Sequence, residues 1–369
     1  MLFYLSVITI SSLLAGMANT QKNRSRITYS ILFFLSAVTM FVPLAMRDVG
    51  VDYEEYIRGY LGTAVGWDYF WRSYLGRPEP LYVVLNFLAR WIFGSFQGVN
   101  FLCAMITIGF TFAGINRIKD ITNLGTTIWS VGFIYYIFMY GLNRMMISVA
   151  IITWAFQYYF SKKAKIFIFW SIVAGLFHYA ALLMIAFYFV LRWMEGRSYS
   201  FKTIKWGRVI ISVTAILVLI YRVVPTVFGG FYWFVRYSNY FTLSFTPAAL
   251  NNNAPTFLLL ILLILYRNGI LEYLNDKKPM MAMMILYVVL SVSSIILPIH
   301  RITYYFYPIC AILYGTIPAS KVLSKENAVA ANMIYTFFIV VMGIIWLYLT
   351  LETGDLWAPY LVPYKWGSF

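Results

Sequence analysis

The chain has 369 residues, 62% of them hydrophobic and 11% charged, with a formal net charge of +15. A soluble domain carries roughly 25% charged residues, so the composition excludes a soluble globular protein and predicts one polytopic membrane domain over 1–369. The basic excess does not point to nucleic acid, because Lys and Arg fall in short loops between apolar runs and not on one soluble face.

A spanning helix needs about 20 mostly apolar residues. In chain order, candidate runs are 2–18, 28–46, 99–115, 125–141, 145–161, 207–224, 254–270, 280–298, 302–319 and 329–350. Two stretches, 80–95 and 165–192, have awkward lengths for one or two full spans. The expected fold is all-α, with roughly 10–13 transmembrane or re-entrant helices. No basic residue precedes Leu2, which predicts a retained first helix and not a cleaved signal. Cys103 and Cys310 lie inside apolar runs, so the sequence supports neither a disulfide framework nor a metal cluster. No Walker loop, zinc-type spacing, Gly-x-Ser-x-Gly elbow or dinucleotide fingerprint is present. No cofactor is expected.

The positive-inside rule orients the chain. The loops around Lys22, Arg117, Lys162, Arg192–Arg208, Lys277 and Lys321 carry a balance of +13, whereas the loop 47–79 carries −2. The former are expected to be cytoplasmic; loop 47–79, segment 225–253 and tail 351–369 are expected outside. Parity then constrains the awkward stretches. The 165–192 run is flanked by basic loops, so it must enter and return, as two short helices meeting near His178. The 80–95 run, opened by Glu79-Pro80, must start and end outside, as a re-entrant or interfacial helix. Irregular backbone at membrane depth is tolerated only against protein or a wet cavity, so the outer half is expected to hold one.

This topology gathers Arg47, Asp52, Glu79, Arg144, His178, Arg236 and Arg301 on one side. Charge at a bilayer boundary costs a few kcal/mol and marks a functional site by default. Five ionisable groups crowd Arg47 to Glu55, directly after the second run. Arg47, Arg144 and Arg301, with Arg236 as a fourth, are expected to bind a pyrophosphate through bidentate guanidinium contacts. A snorkelling, locally paired arginine is the plainer alternative for Arg47. His178 is the expected general base, since a neutral imidazole is available at physiological pH. Asp52 and Glu79 are alternative bases that would otherwise orient the arginines. Most aromatics, 20% of the chain, belong to interfacial belts; Tyr53, Tyr56, Trp67 and Tyr305 are candidates to stack on sugar rings.

Several runs resemble the EpsG-like family of bacterial membrane proteins: Arg47-Asp48-Val49-Gly50-Val51-Asp52-Tyr53, Glu79-Pro80-Leu81, Asn143-Arg144-Met145-Met146-Ile147-Ser148, Phe177-His178-Tyr179-Ala180-Ala181-Leu182 and Arg301-Ile302-Thr303-Tyr304-Tyr305-Phe306. The resemblance implies a Wzy-type polysaccharide polymerase of GT-C-like architecture. Such a protein joins oligosaccharides carried on undecaprenyl pyrophosphate outside the cytoplasmic membrane, alongside membrane lipid and a chain-length regulator. The sequence departs from the family at Met145, where glutamine usually follows the arginine. A lipid-linked oligosaccharide flippase, an O-antigen ligase-like enzyme and an O-acyltransferase are the alternative readings.

Overall fold

The structure is a computed structural model that describes residues 1–63, 66, 79–195, 254–265, 278–294, 300–319, 328–352 and 358–367. The expected span 207–224, segment 225–253, Trp67 and Arg236 lie outside the described residues. Within them the chain is helical, with no strand beyond a single β-bridge between Arg47 and Trp366. They fall into two compact units, Met1–Ile185 with Ala311–Phe369, and Ala186–Cys310. The chain is an all-α polytopic membrane protein. Four of its helices are long and apolar enough to cross a membrane, among the described residues.

The first unit opens with α1 (Leu2–Gln21) and α2 (Arg26–Ala45), an antiparallel pair around a short basic loop. Ser11 and Ser36 hydrogen-bond each other and each other's carbonyls across this pair, at 2.8–2.9 Å. Such exchanges hold helices together where lipid removes the usual hydrophobic drive. Ser25 caps α2 by accepting the Thr28 N–H, and Pro43 occupies its last turn. Helix α3 (Tyr53–Gly62) is short and carries Glu54 and Glu55 in its first turn, where they complement the helix dipole.

Helix α4 (Pro80–Phe93) has the punctuation its sequence predicts: Pro80 at the first position and a left-handed Gly94 as its stop. Its 14 residues fall short of a full span. Val84, Leu88, Trp91 and Ile92 form an exposed apolar stripe at helical spacing. Arg90, from the other side, donates to Thr63 Oγ1 at 2.7 Å and Tyr60 O at 3.1 Å, binding the end of α3 to α4.

Helix α5 (Phe96–Arg117) packs against α7 (Asn143–Phe160), where Gly114 lets the Thr153 backbone approach; a Cβ there would lie 2.9 Å from Thr153 atoms. Between them in sequence comes α6 (Leu124–Val131), which packs on α1 and is extended by a π turn Gly132–Tyr136 and a 3-10 turn Ile137–Tyr140. Helix α8 (Ala164–Phe177) stops at His178, whose backbone is extended at φ −157° and ψ 113°. A 3-10 turn, Tyr179–Leu182, then leads into α9 (Leu183–Glu195). The 165–192 stretch is therefore two short helices broken at the histidine, as its length required. Helix α9 passes into the second unit at Ala186, and α13 (Ala328–Leu351) and the short α14 (Ala358–Leu361) complete the first. The second unit contains α10 (Ala254–Leu265), α11 (Lys278–Ser293) and a short helix His300–Thr303; α12 (Tyr307–Ala319) starts in it and ends in the first unit.

The first unit has two chemically different poles. At one, Lys22 Nζ reaches Lys119 O at 3.2 Å and the Arg117 guanidinium lies 5.1 Å from the Trp154 ring, near where α7 runs into Lys162 and Lys163. At the other stand the end of α2, the starts of α4 and α7 and the end of α8. Exposed positions follow this division. A single cysteine at Glu54 is expected to react with an impermeant thiol reagent applied outside the cell, whereas cysteines at Asn23 and Ser161 stay unlabelled. Outside labelling of Ser161→Cys would reverse the assigned sidedness.

Candidate active site

Arg144, which falls between the expected runs 125–141 and 145–161, lies one residue inside α7. Asn143 begins α7, so Arg144 projects from its first turn. One turn on, Ser148 Oγ donates to Ala174 O at 2.7 Å, and the same carbonyl receives the His178 N–H at 2.9 Å. That shared acceptor fixes the end of α8 against α7. It brings His178 close to Arg144 across a sequence gap that no local pattern encodes.

Glu79, the residue before Pro80, lies between them. Its Oε2 accepts from Arg144 Nη1 at 2.6 Å, and its Oε1 is 2.6 Å from His178 Nδ1. The Glu79 side chain is 8% exposed, against 15% for Arg144 and 20% for His178. Burial alone would push the Glu79 carboxyl up; the His178 hydrogen bond and the Arg144 charge outweigh it and hold the group below the usual carboxylate range. An ionised carboxylate only accepts hydrogen bonds, so Nδ1 must donate. In the neutral ring the lone pair is then on Nε2. Breaking such a buried pair by removing one partner costs about 3–5 kcal/mol.

Aromatic rings complete the setting of Arg144. Its Cζ lies 5.7 Å from the Tyr56 ring centroid and 5.8 Å from that of Tyr82, within cation–π range. Tyr56 is buried, and burial pushes its hydroxyl up to about 12. Projecting from α3, it packs against the cation. Tyr82 was not singled out in the sequence; its place in the first turn after Pro80 was the available signal.

The other expected site residues are distributed as follows. Asp52 is half-buried at the head of α3, and its charge is felt by Tyr56. Tyr53 is half-buried, and the neighbouring Asp48 acts on its hydroxyl. Arg47 belongs to the same pole but is 1% exposed, its guanidinium turned into the protein. Arg301 is exposed on its short helix in the second unit, and Tyr305 in that unit is fully buried. Met145 is buried beside Arg144 in sequence, at 4% exposure.

A buried carboxylate that fixes an imidazole tautomer while holding a guanidinium provides a base and an anion ligand side by side. No curated protein and no solved structure matches the chain. The sequence model of the EpsG family matches residues 27–366, nearly the whole chain and every site residue named above. The chain therefore belongs to the EpsG family, a family of Wzy-like polysaccharide polymerases.

Proposed function

We propose that the protein is a glycosyltransferase that polymerises oligosaccharide repeat units carried on polyprenyl pyrophosphate, at the outer face of a bacterial cytoplasmic membrane. The observation that carries this reading is the Glu79 bridge between His178 and Arg144. An acceptor sugar hydroxyl attacks the anomeric carbon of the donor chain. Its proton passes to His178 Nε2, and the bond from the anomeric carbon to the pyrophosphate oxygen breaks with its electrons. Glu79 stabilises the imidazolium that forms, as a carboxylate does beside any catalytic imidazole. The departing pyrophosphate meets Arg144, whose fork suits phosphate oxygens. Asp52 and Tyr53 are ligands for sugar hydroxyls. A chain-length regulator is the expected protein partner.

The test is reconstitution. Purified protein in detergent should lengthen lipid-linked repeat units without nucleotide and with EDTA present, since leaving-group charge is assigned to arginines. Arg144→Ala is expected to lower turnover about 10²–10³-fold, the usual worth of one preorganised donor to developing charge. Arg144→Lys should recover only part of it, because an ammonium is a point charge and cannot make the fork. Protein that moves the lipid-linked unit across a vesicle membrane yet never lengthens it would make this a flippase. Activity lost to EDTA and restored by magnesium would assign the leaving group to a metal.

A further inference from the structure

Arg47 is the largest charged side chain in the described interior, at 1% exposure, and the reaction above does not use it. Nη1 donates to Leu44 O at 2.8 Å, and Nη2 donates to the Asn143 side-chain oxygen. Its Cζ lies 5.5 Å from the Tyr140 ring centroid, and its own carbonyl accepts from Asn100 Nδ2 at 3.3 Å. Among the described residues no carboxylate pairs with it, and its Nε–H is buried without a partner. From outside, Asp48 N–H donates to Lys365 O at 2.9 Å and Gly367 N–H to Met46 O at 2.7 Å, closing a strap over this segment. Burying a guanidinium without a counter-ion costs several kcal/mol, so stability alone does not account for it.

What the guanidinium holds is informative. Asn143 is 3% exposed, is the first residue of α7, and immediately precedes Arg144. Gly50 packs so closely on the Tyr140 carbonyl that any Cβ there would collide with it. The segment 44–50 thus grips both sides of the 140–143 turn. We propose that Arg47 is a positioning residue: through Asn143 it sets the start of α7, and so the reach of Arg144 to Glu79 and to the substrate anion. This replaces the direct pyrophosphate contact expected of Arg47 from the sequence. It rests on the proposed function only for its activity arm.

The experiment combines Arg47→Gln, Asn143→Ala and the double variant, each purified and checked for a cooperative thermal transition. The first readout needs no substrate: the rate at which diethyl pyrocarbonate modifies His178, resolved from His300 by peptide mass spectrometry. If Arg47 acts through Asn143, both single variants change this rate at least about threefold, in the direction Arg144→Ala changes it, and the double variant adds nothing. The second readout is lengthening of lipid-linked units. A misplaced catalytic group costs about 10²-fold, so turnover should fall by that factor in either single variant and no further in the double. Arg47→Lys should recover little, because one ammonium does not span two acceptors. A wild-type His178 rate in Arg47→Gln together with lost activity would overturn the proposal in favour of direct substrate contact. Independent, multiplying losses from Arg47 and Asn143 would overturn it too. Where Arg47→Gln fails to fold, Asn143→Ala decides, because it severs the link with the cation still in place. A wild-type protein that lengthens nothing while the labelling pattern holds would remove the polymerase reading and leave the positioning intact.

Discussion

Glu79→Gln is expected to lower turnover on the order of 10⁴-fold, the loss seen when an amide replaces the carboxylate beside a catalytic imidazole. A glutamine is nearly the same size and still reaches Arg144 and His178. The difference lies in hydrogen-bond polarity. Glutamine's oxygen satisfies Arg144, which turns its NH₂ toward His178 Nδ1. That nitrogen must then accept, the ring proton moves to Nε2, and the atom facing the acceptor hydroxyl is no longer basic. Single-turnover lengthening with saturating donor reads the chemical step, and a thermal transition near wild type shows that the loss is not unfolding. Turnover within tenfold of wild type would mean that the tautomer fixed at 2.6 Å does not matter to the reaction.

His178→Ala is expected to cost about 10²–10⁴-fold, the range for a positioned base, while the Arg144–Glu79 pair survives and donor binding changes little. The pH profile adds a separate check. Glu79 is held below the usual carboxylate range, so it stays ionised from neutral pH down past about 4.3, where free glutamate protonates. Its contribution to the folded state is complete above that unfolded value. It is lost only as pH falls through the lower folded one. Glu79 therefore supplies no acid limb at milder pH. Any acid limb of the wild-type rate above that value, with the fold intact, should be absent from the residual rate of His178→Ala. A shared limb in both proteins would move the base elsewhere, with Asp52 the nearest alternative.

Much of the architecture was legible because membranes impose simple rules. The break at His178 followed from a run too short for two spans between two basic loops, and the α4 start followed from Glu79-Pro80. Parity also brought Glu79, Arg144 and His178 to one pole. What the sequence withheld was the direction of side chains. Arg47 and Arg144 present the same signal, a guanidinium at the end of an apolar run, yet one faces inward to Asn143 and the other faces Glu79. Charge at a boundary marks a residue as costly; tertiary contacts decide whom it serves. The tail offered even less: it read only as an external segment, whereas Lys365 and Gly367 hydrogen-bond to the segment around Arg47. Such long-range pairings leave no periodicity behind.

Helix α8 also sets a depth. Its 14 residues rise about 21 Å, against a hydrocarbon thickness of about 30 Å. Were Lys163 at one boundary and the helix upright, the imidazole at the far end would stand several ångströms short of the other. On the proposed function, water and sugar would descend to it, through a local dimple in the leaflet or a notch in the protein. Acyl-chain length then becomes a variable of the chemistry. A thicker bilayer deepens the descent and a thinner one shortens it, so hydrophobic mismatch acts on the accessibility of one nitrogen atom.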